Sequence, residues 1–226
     1  MRVTPLGDNL IALNRYRFVN AYLVREEYGF TLVDTTVGRG AAELIEAAEA
    51  AGGALRRIAV THGHGDHVGS VDELRRMLGP QVPVLIPELD ARILAGERPL
   101  GDVKIPGSWP KLATAPDVRL AAGDRVGSLE VIATPGHSPG HVAFRDTRDG
   151  TVIAGDVFTS LGGLAVTNHW QLPFPFATMA TWDRAQDLAS ARVVRESEPT
   201  LLVVGHGGPI RDPGRALDAA IARAGG

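Results

Sequence analysis

Cysteine is absent from this sequence of 226 residues. The chain therefore has no disulfides, no thiolate nucleophile, no cysteine-ligated zinc and no iron–sulfur cluster. Any metal ion has to be held by histidine and carboxylate side chains, and the sequence has seven His and 26 Asp plus Glu.

A surplus of positive charge is also lacking. The 23 Lys and Arg residues stand against 26 acidic ones, and no run of Lys or Arg exceeds two. We therefore expect no nucleic-acid partner, because phosphate-backbone binding needs a basic patch. No apolar stretch approaches the roughly 20 residues of a membrane-spanning helix, and residues 1–13 do not have the pattern of a signal peptide. We expect no membrane partner and a cytoplasmic location.

Short apolar runs cluster early and late in the sequence, with helical segments between and after them, along what we expect to be one domain over residues 1–226. Runs rich in Val and Ile predict strands at residues 10–13, 18–24, 30–33, 58–60, 82–86, 129–133, 141–144, 152–154 and 201–204. Helical spacing predicts helices at residues 39–51, 68–78, 88–94, 179–195 and 213–224, with Thr181 as a cap of the fourth. This order favours an α+β class, a four-layer αββα sandwich of two mixed sheets packed face to face with helices outside.

The densest histidine cluster directly follows the predicted strand at residues 58–60. It reads Thr61-His62-Gly63-His64-Gly65-Asp66-His67. In an extended segment, residues two apart point the same way, so His62 and His64 can face one metal ion. Asp66 and His67 then lie at the turn into the next helix and can face a second ion.

Three further polar residues each follow a predicted strand: His137, Asp156 and His206. Polar residues at strand ends lie on a rim of the sheet, where a site can assemble from distant parts of the sequence. With the first cluster they make five His and two Asp, which is enough for two metal ions. Imidazole and carboxylate ligands suit Zn²⁺ best, with Mn²⁺ and Fe²⁺ as alternatives.

The order of these seven residues resembles the metallo-β-lactamase-fold hydrolase superfamily, in particular its glyoxalase II and lactonase branch, over almost the whole chain. The αββα fold of that family agrees with the predicted elements. The resemblance implies that His62, His64 and His137 hold a first metal ion. It implies that Asp66, His67 and His206 hold a second, with Asp156 bridging. Asp34 matches the early Asp of the family, which supports the ligands from behind.

The implied function is hydrolysis of a small ester, thioester or lactone by hydroxide held between the two metal ions. Asp66 is the candidate catalytic residue, orienting the nucleophile or passing its proton to the leaving group. A true β-lactamase is disfavoured, because those enzymes have Cys or Ser around the position of Asp156. Two alternatives stay open: an oxidoreductase resembling the persulfide dioxygenases with one iron, and a phosphodiesterase of the same superfamily.

Two irregular segments, residues 96–116 and 159–178, are expected to flank the metals and to supply the substrate pocket. The candidate pocket residues are Trp109, His169, Trp170, Phe174 and Phe176. Few cationic residues lie there, so a small neutral substrate is favoured over a polyanion. His141 is expected to pack or hydrogen-bond in its strand, and a homodimer is compatible with the sequence.

Overall fold

The computed structural model describes residues 1–225 of the chain, which divide into two compact units. Unit 1 comprises Met1–Pro99 and Ser108–Leu120, and unit 2 comprises Leu100–Gly107 and the chain from Ala121 onward. Each unit has a sheet and an apolar core of its own. The expectation of a single domain over residues 1–226 stays a prediction.

The sheet of unit 1 has seven strands that neighbour one another in chain order. They are β1 (Arg2–Pro5), β2 (Leu10–Arg15), β3 (Val19–Glu26), β4 (Gly29–Val33), β5 (Leu55–Ala59), β6 (Val84–Pro87) and β7 (Val118–Leu120). The first four pair antiparallel, whereas β4 to β7 pair parallel. Parallel neighbours need crossover connections, and helices supply them here.

The crossover helices of unit 1 are α1 (Ala41–Ala50), α2 (Gly65–Val68), α3 (Val71–Leu78) and α4 (Glu88–Leu94). Helix α1 buries Ala41, Leu44, Ala47 and Ala48, a stripe with the period of an amphipathic helix, in a core shared with the sheet. The helix predicted at residues 68–78 is wrong at its start, because Gly69 and Ser70 separate α2 from α3. There the Gly69 N–H donates to the Thr36 carbonyl, and a Cβ on Gly69 would lie 2.5 Å from the Gly38 nitrogen.

Unit 2 contains eight strands in two sheets. They are β8 (Arg125–Val126), β9 (Leu129–Ala133), β10 (Val142–Asp146), β11 (Val152–Ile153), β12 (Phe158–Thr159), β13 (Ala165–Val166), β14 (Leu201–Val203) and β15 (Ile210–Arg211). The larger sheet has the order β15-β14-β11-β10-β9-β8, and β12 pairs with β13 in a separate two-stranded sheet. Thr159 of β12 also forms an isolated parallel bridge with His206. Among the strand pairs of the described part of unit 2, β11 and β14 are parallel and the others are antiparallel.

Three helices complete unit 2: α5 (Phe176–Ala180), α6 (Arg184–Glu196) and α7 (Gly214–Gly225). The single helix predicted at residues 179–195 is wrong, because the chain leaves the helix between α5 and α6. The predicted cap is also wrong: Asp183, not Thr181, caps α6, and its carboxylate accepts from the N–H groups of Ala185 and Gln186. Residues of α6, α7, β11 and β14 share the core of this unit.

All nine strands predicted from the apolar runs are present, with ends that differ from the prediction by at most three residues. The predicted α+β class with two mixed sheets is confirmed. None of the helices within residues 1–225 has both the length and the apolar composition needed to cross a bilayer.

Candidate functional site

In unit 1 the predicted site residues lie where parallel strands end. Asp34 directly follows β4, and the segment with His62 and His64 follows β5. Because β4 and β5 are parallel neighbours, their carboxyl ends meet at one edge of the sheet. Side chains that are far apart in the sequence are thereby brought together.

The imidazoles of the histidine cluster pack against one another at this edge. The ring centroids of His62 and His64 are 4.8 Å apart, and those of His62 and His67 are 4.0 Å apart. All three side chains are buried, whereas Asp66 is partly exposed. The backbone of His64 is extended and precedes the single turn of α2, which carries Asp66 and His67. The expected placement of Asp66 and His67 at the turn into a helix is thus what the structure has.

Asp34 organises two of these imidazoles through hydrogen bonds. Its carboxylate accepts from the backbone N–H of Thr61 at 2.8 Å and from the Thr61 hydroxyl at 2.9 Å. The Nδ1–H of His67 donates to it at 2.8 Å. Since the Thr61 hydroxyl gives its hydrogen to Asp34, its oxygen accepts from Nδ1–H of His62 at 3.1 Å. Both histidines are thus set in the tautomer whose Nε2 carries a lone pair, as a metal ligand requires.

Gly63 lets the chain pass close to two neighbours in unit 1. Its N–H donates to the buried carboxylate of Asp90 at 2.8 Å, and a Cβ there would lie 2.4 Å from the Trp109 ring. Trp109 packs against the core of unit 1 and meets the His64 ring edge-on at 5.0 Å. The predicted pocket residue Trp109 therefore lies against the histidine cluster and also anchors its own segment.

In unit 2 three strands with the same direction carry the remaining predicted ligands. Strands β9 and β11 are both antiparallel to β10, and β14 is parallel to β11. Their carboxyl ends consequently lie at one edge, which brings His137, Asp156 and His206 together. Asp156 Oδ2 lies 3.5 Å from Nε2 of His137 and 3.2 Å from Nε2 of His206. All three side chains are buried.

The tautomer of His137 is set in the same way as those of His62 and His67. Thr181 donates its hydroxyl hydrogen to the carbonyl of Ala177 at 2.9 Å, so its oxygen accepts from His137 Nδ1–H at 3.1 Å. With Nδ1 as the donor, the neutral ring of His137 presents the lone pair of Nε2 toward a carboxylate oxygen of Asp156. Imidazole nitrogens and a carboxylate oxygen that converge in a buried site are ligands suited to a divalent cation, so these residues fit a metal.

His141 hydrogen-bonds at both ring nitrogens and has a structural role. Its Nδ1 contacts the Thr134 hydroxyl at 2.8 Å, and its Nε2 accepts from the backbone N–H of Asp156 at 3.0 Å. The imidazole therefore joins the end of β9 to the turn that carries Asp156. The expected hydrogen-bonding role agrees with these contacts.

Asp187, on α6, is a buried acid that sequence reasoning missed. Burial raises its pKa well above the usual range, and the nearby charge of Asp156 acts in the same direction. The Thr167 hydroxyl lies 2.6 Å from the Asp156 carbonyl and 3.0 Å from Asp187 Oδ2. The Thr167 hydroxyl has a single hydrogen and can donate it to only one of these two oxygens. A protonated Asp187 satisfies both contacts, because it donates its own hydrogen to the Thr167 oxygen while the Thr167 hydrogen goes to the Asp156 carbonyl. The position looks like any polar residue of an amphipathic helix, so spacing gives no signal for it.

The remaining predicted pocket residues lie in unit 2 and differ in placement. Phe174 packs on the ring of His206 with 4.7 Å between centroids, and Phe176 lies 5.9 Å from Phe174. His169 and Trp170 are exposed. The structure thus brings Phe174 to a predicted ligand and leaves the imidazole of His169 in solvent.

Comparison with known proteins identifies the family. Residues 14–206 match the metallo-beta-lactamase superfamily. The uncharacterized protein YobT of Bacillus subtilis (strain 168) is 41% identical over 211 residues, covering 91% of this chain and 90% of that protein. A hydroxyacylglutathione hydrolase of Rhodopseudomonas palustris (strain BisA53) is 32% identical, over 62% of this chain and 51% of that protein.

Two solved structures share the fold. A di-iron-bound form of TTHA1623 has 30% identity and a TM-score of 0.67, and covers 91% of this chain and 95% of its own. A metallo-beta-lactamase from Pontibacter korlensis has 20% identity and a TM-score of 0.74, and the match covers 99% of this chain and 98% of that one. The predicted metallo-β-lactamase fold is confirmed, and the chain belongs to the metallo-beta-lactamase superfamily.

Proposed function

We propose that this protein is a metal-dependent hydrolase that cleaves a small, uncharged ester, thioester or lactone. The observation that carries the proposal is the fixed tautomer of His62, His67 and His137, each of which has Nδ1 held by a hydroxyl or a carboxylate. Imidazoles held in this way are characteristic of metal ligands. Membership of the superfamily supports the same reading, as does the partial similarity to a hydroxyacylglutathione hydrolase.

The proposed ligands are the seven residues named from the sequence. His62, His64 and His137 would hold one ion, Asp66, His67 and His206 the other, and Asp156 would bridge them. Two divalent ions bound there would supply Lewis acidity and lower the pKa of water to near neutrality. Zinc suits this ligand set, and the di-iron form of a relative at 30% identity makes iron the other metal to test.

The protein's own residues would do the positioning. Asp34, Thr61 and Thr181 orient the three imidazoles, while His141 fixes the backbone that carries Asp156. Asp66 is partly exposed at the first turn of α2, so its carboxylate can reach both His67 and solvent. We assign it the orientation of the attacking water and the transfer of its proton to the leaving group. We also propose that the substrate is a small molecule, that the protein is cytoplasmic and that it binds neither nucleic acid nor a membrane.

The experiment is a hydrolysis screen on protein whose metal content has been measured. Lactones, thioesters, aryl esters, phosphodiesters and β-lactams are offered to the wild type, to His62→Ala and to Gln186→Ala, an exposed polar residue of α6. We expect about two metal ions per chain and loss of turnover in His62→Ala alone. Turnover that survives in His62→Ala would overturn the proposal. One iron per chain together with oxygen consumption would replace the hydrolase proposal by the dioxygenase alternative. Turnover of phosphodiesters alone would replace it by the phosphodiesterase alternative.

A further inference from the structure

The segment between Asp156 and Asp183 has an unusual composition. Residues Val157–Trp182 include no Asp, Glu, Lys or Arg, although 22% of the whole chain is charged. This segment also contains four large apolar side chains that are more than half exposed: Trp170, Leu172, Phe176 and Met179. Exposed apolar side chains concentrated in this way mark a binding surface rather than ordinary surface.

Part of this segment leads outward from a proposed metal ligand. Phe174 lies on the ring of His206, and the Phe176 ring follows at 5.9 Å. Met179 is three residues further along α5, so it shares a face with Phe176. Phe176 and Met179 are 65% and 60% exposed, whereas Ala177 and Thr178 on the opposite face are buried. We call Phe174, Phe176 and Met179 the apolar platform.

The platform is held in place by its buried side. The Thr178 hydroxyl donates to the carbonyl of His169 at 2.7 Å, and the Thr181 hydroxyl donates to that of Ala177. Thr181 also accepts from His137, so α5 is tied to the same threonine that orients a proposed ligand. The exposed face of α5 is therefore fixed relative to the His137, Asp156 and His206 cluster within unit 2.

We propose that the apolar platform binds an unbranched alkyl or acyl chain of the substrate, beginning beside His206. This inference rests on the proposed hydrolase function and narrows its substrate class to esters, thioesters or lactones with a medium-length apolar chain. The absence of charge in the segment disfavours an anionic ligand. It also disfavours a lipid surface, which amphipathic helices bind with Lys and Arg beside the apolar face. A substrate chain is favoured over a second copy because the platform starts at a proposed ligand.

Kinetics on a homologous series of substrates tests this inference. The series is the acetate, butyrate, hexanoate, octanoate and decanoate esters of para-nitrophenol, measured on metal-loaded protein. Covering one side of a methylene group gives about half the free energy of its full burial, which corresponds to a roughly twofold gain in kcat/KM. We expect a rise of that size per methylene up to octanoate in the wild type and a flatter slope in Met179→Ala and Phe176→Ala. Met179→Leu should restore the slope, because leucine keeps the apolar area.

The matched control is Met77→Ala, which removes an exposed methionine of α3 in unit 1 and should leave the slope unchanged. A direct binding measurement follows the fluorescence of Trp170 as decanamide, which lacks the activated ester, is added. Trp170→Phe identifies its signal among the three Trp residues. We expect saturable binding of decanamide by the wild type and at least fivefold weaker binding by Met179→Ala, on the order of one methionine contact.

The outcomes separate the two proposals. Hydrolysis with equal slopes in the wild type and Met179→Ala would overturn the platform and leave the hydrolase standing. Saturable binding of decanamide that depends on Met179, without hydrolysis of any ester, would support the platform and overturn the hydrolase. A dimer that dissociates in Met179→Ala, with the slope unchanged, would assign the surface to a second copy and overturn the platform.

Discussion

Replacing Asp34 by asparagine should weaken metal binding without removing any ligand. Asn fits the cavity and tolerates the left-handed backbone of this position, where φ is 61°. Its amide, however, has one acceptor and one donor where the carboxylate has two acceptors. With the oxygen kept on the N–H of Thr61, the NH₂ group faces Nδ1 of His67. The opposite orientation would place the NH₂ group against the N–H of Thr61.

The consequence for His67 is a change of tautomer. An NH₂ donor is satisfied only if Nδ1 of His67 becomes an acceptor, which moves the ring proton to Nε2, the proposed ligand atom. One charge-assisted hydrogen bond is lost as well, at a cost of about 2 kcal/mol. Changes in the groups behind metal ligands typically reduce affinity by about 10–100-fold, which corresponds to about 1.4–2.7 kcal/mol. The two estimates agree, so we expect a loss of metal affinity in this range.

The assay is competition for zinc, and separately for ferrous iron, against a chromogenic chelator. Nitrogen-15 NMR of the imidazoles in metal-free protein reports the tautomer directly. Asp146→Asn is the matched control, because Asp146 is also buried but its carboxylate binds Arg148 and its own turn. Affinity in Asp34→Asn equal to that of the wild type, with His67 still protonated at Nδ1, would refute the reasoning.

Three further substitutions test other contacts of the two units. Gly63→Ala places a Cβ 2.4 Å from the Trp109 ring, so urea unfolding should show a loss of about 1–3 kcal/mol, and Trp109→Leu should relieve part of it. Gly136→Ala combines a φ of 138° with a Cβ 2.2 Å from the Asp187 nitrogen; a loss above about 3 kcal/mol is expected, and a normally stable variant would contradict it. Burial raises the pKa of Asp187, so above the ordinary carboxyl pKa the folded state keeps a proton that the unfolded chain has released. Stability therefore falls as the pH rises from the ordinary carboxyl pKa to the raised one. Asp187→Asn removes this loss, so its advantage in thermal unfolding should be larger at pH near neutrality than under acidic conditions.

The apolar runs predicted the buried strands because burial on both faces requires continuous Val, Ile and Leu. Within residues 1–225, six strands were not predicted: β1, β7, β8, β12, β13 and β15. Strand β1 is largely exposed, β7 has three residues and the other four have two each, so none of them has the long buried apolar run that predicts a strand. The seven proposed ligands were predictable because five of them follow strands, because Asp66 and His67 lie at the start of the next helix, and because their order matches a family. Asp187 was not, since its burial is created only when α6 packs on residues 136 and 167.

The break between α5 and α6 shows where the helical pattern and the proposed site compete. Residues 179–195 have the periodicity of one helix, yet the N–H groups of Trp182 and Asp183 donate to the carbonyls of His137 and Gly136. These bonds replace helical ones and hold the loop that carries His137. The break also leaves Thr181 buried, with its hydroxyl between the Ala177 carbonyl and the His137 ring. A continuous helix would satisfy the same backbone groups but would give up this support, so we expect Thr181→Val, which keeps the shape and loses the acceptor, to lower metal affinity with little change in fold.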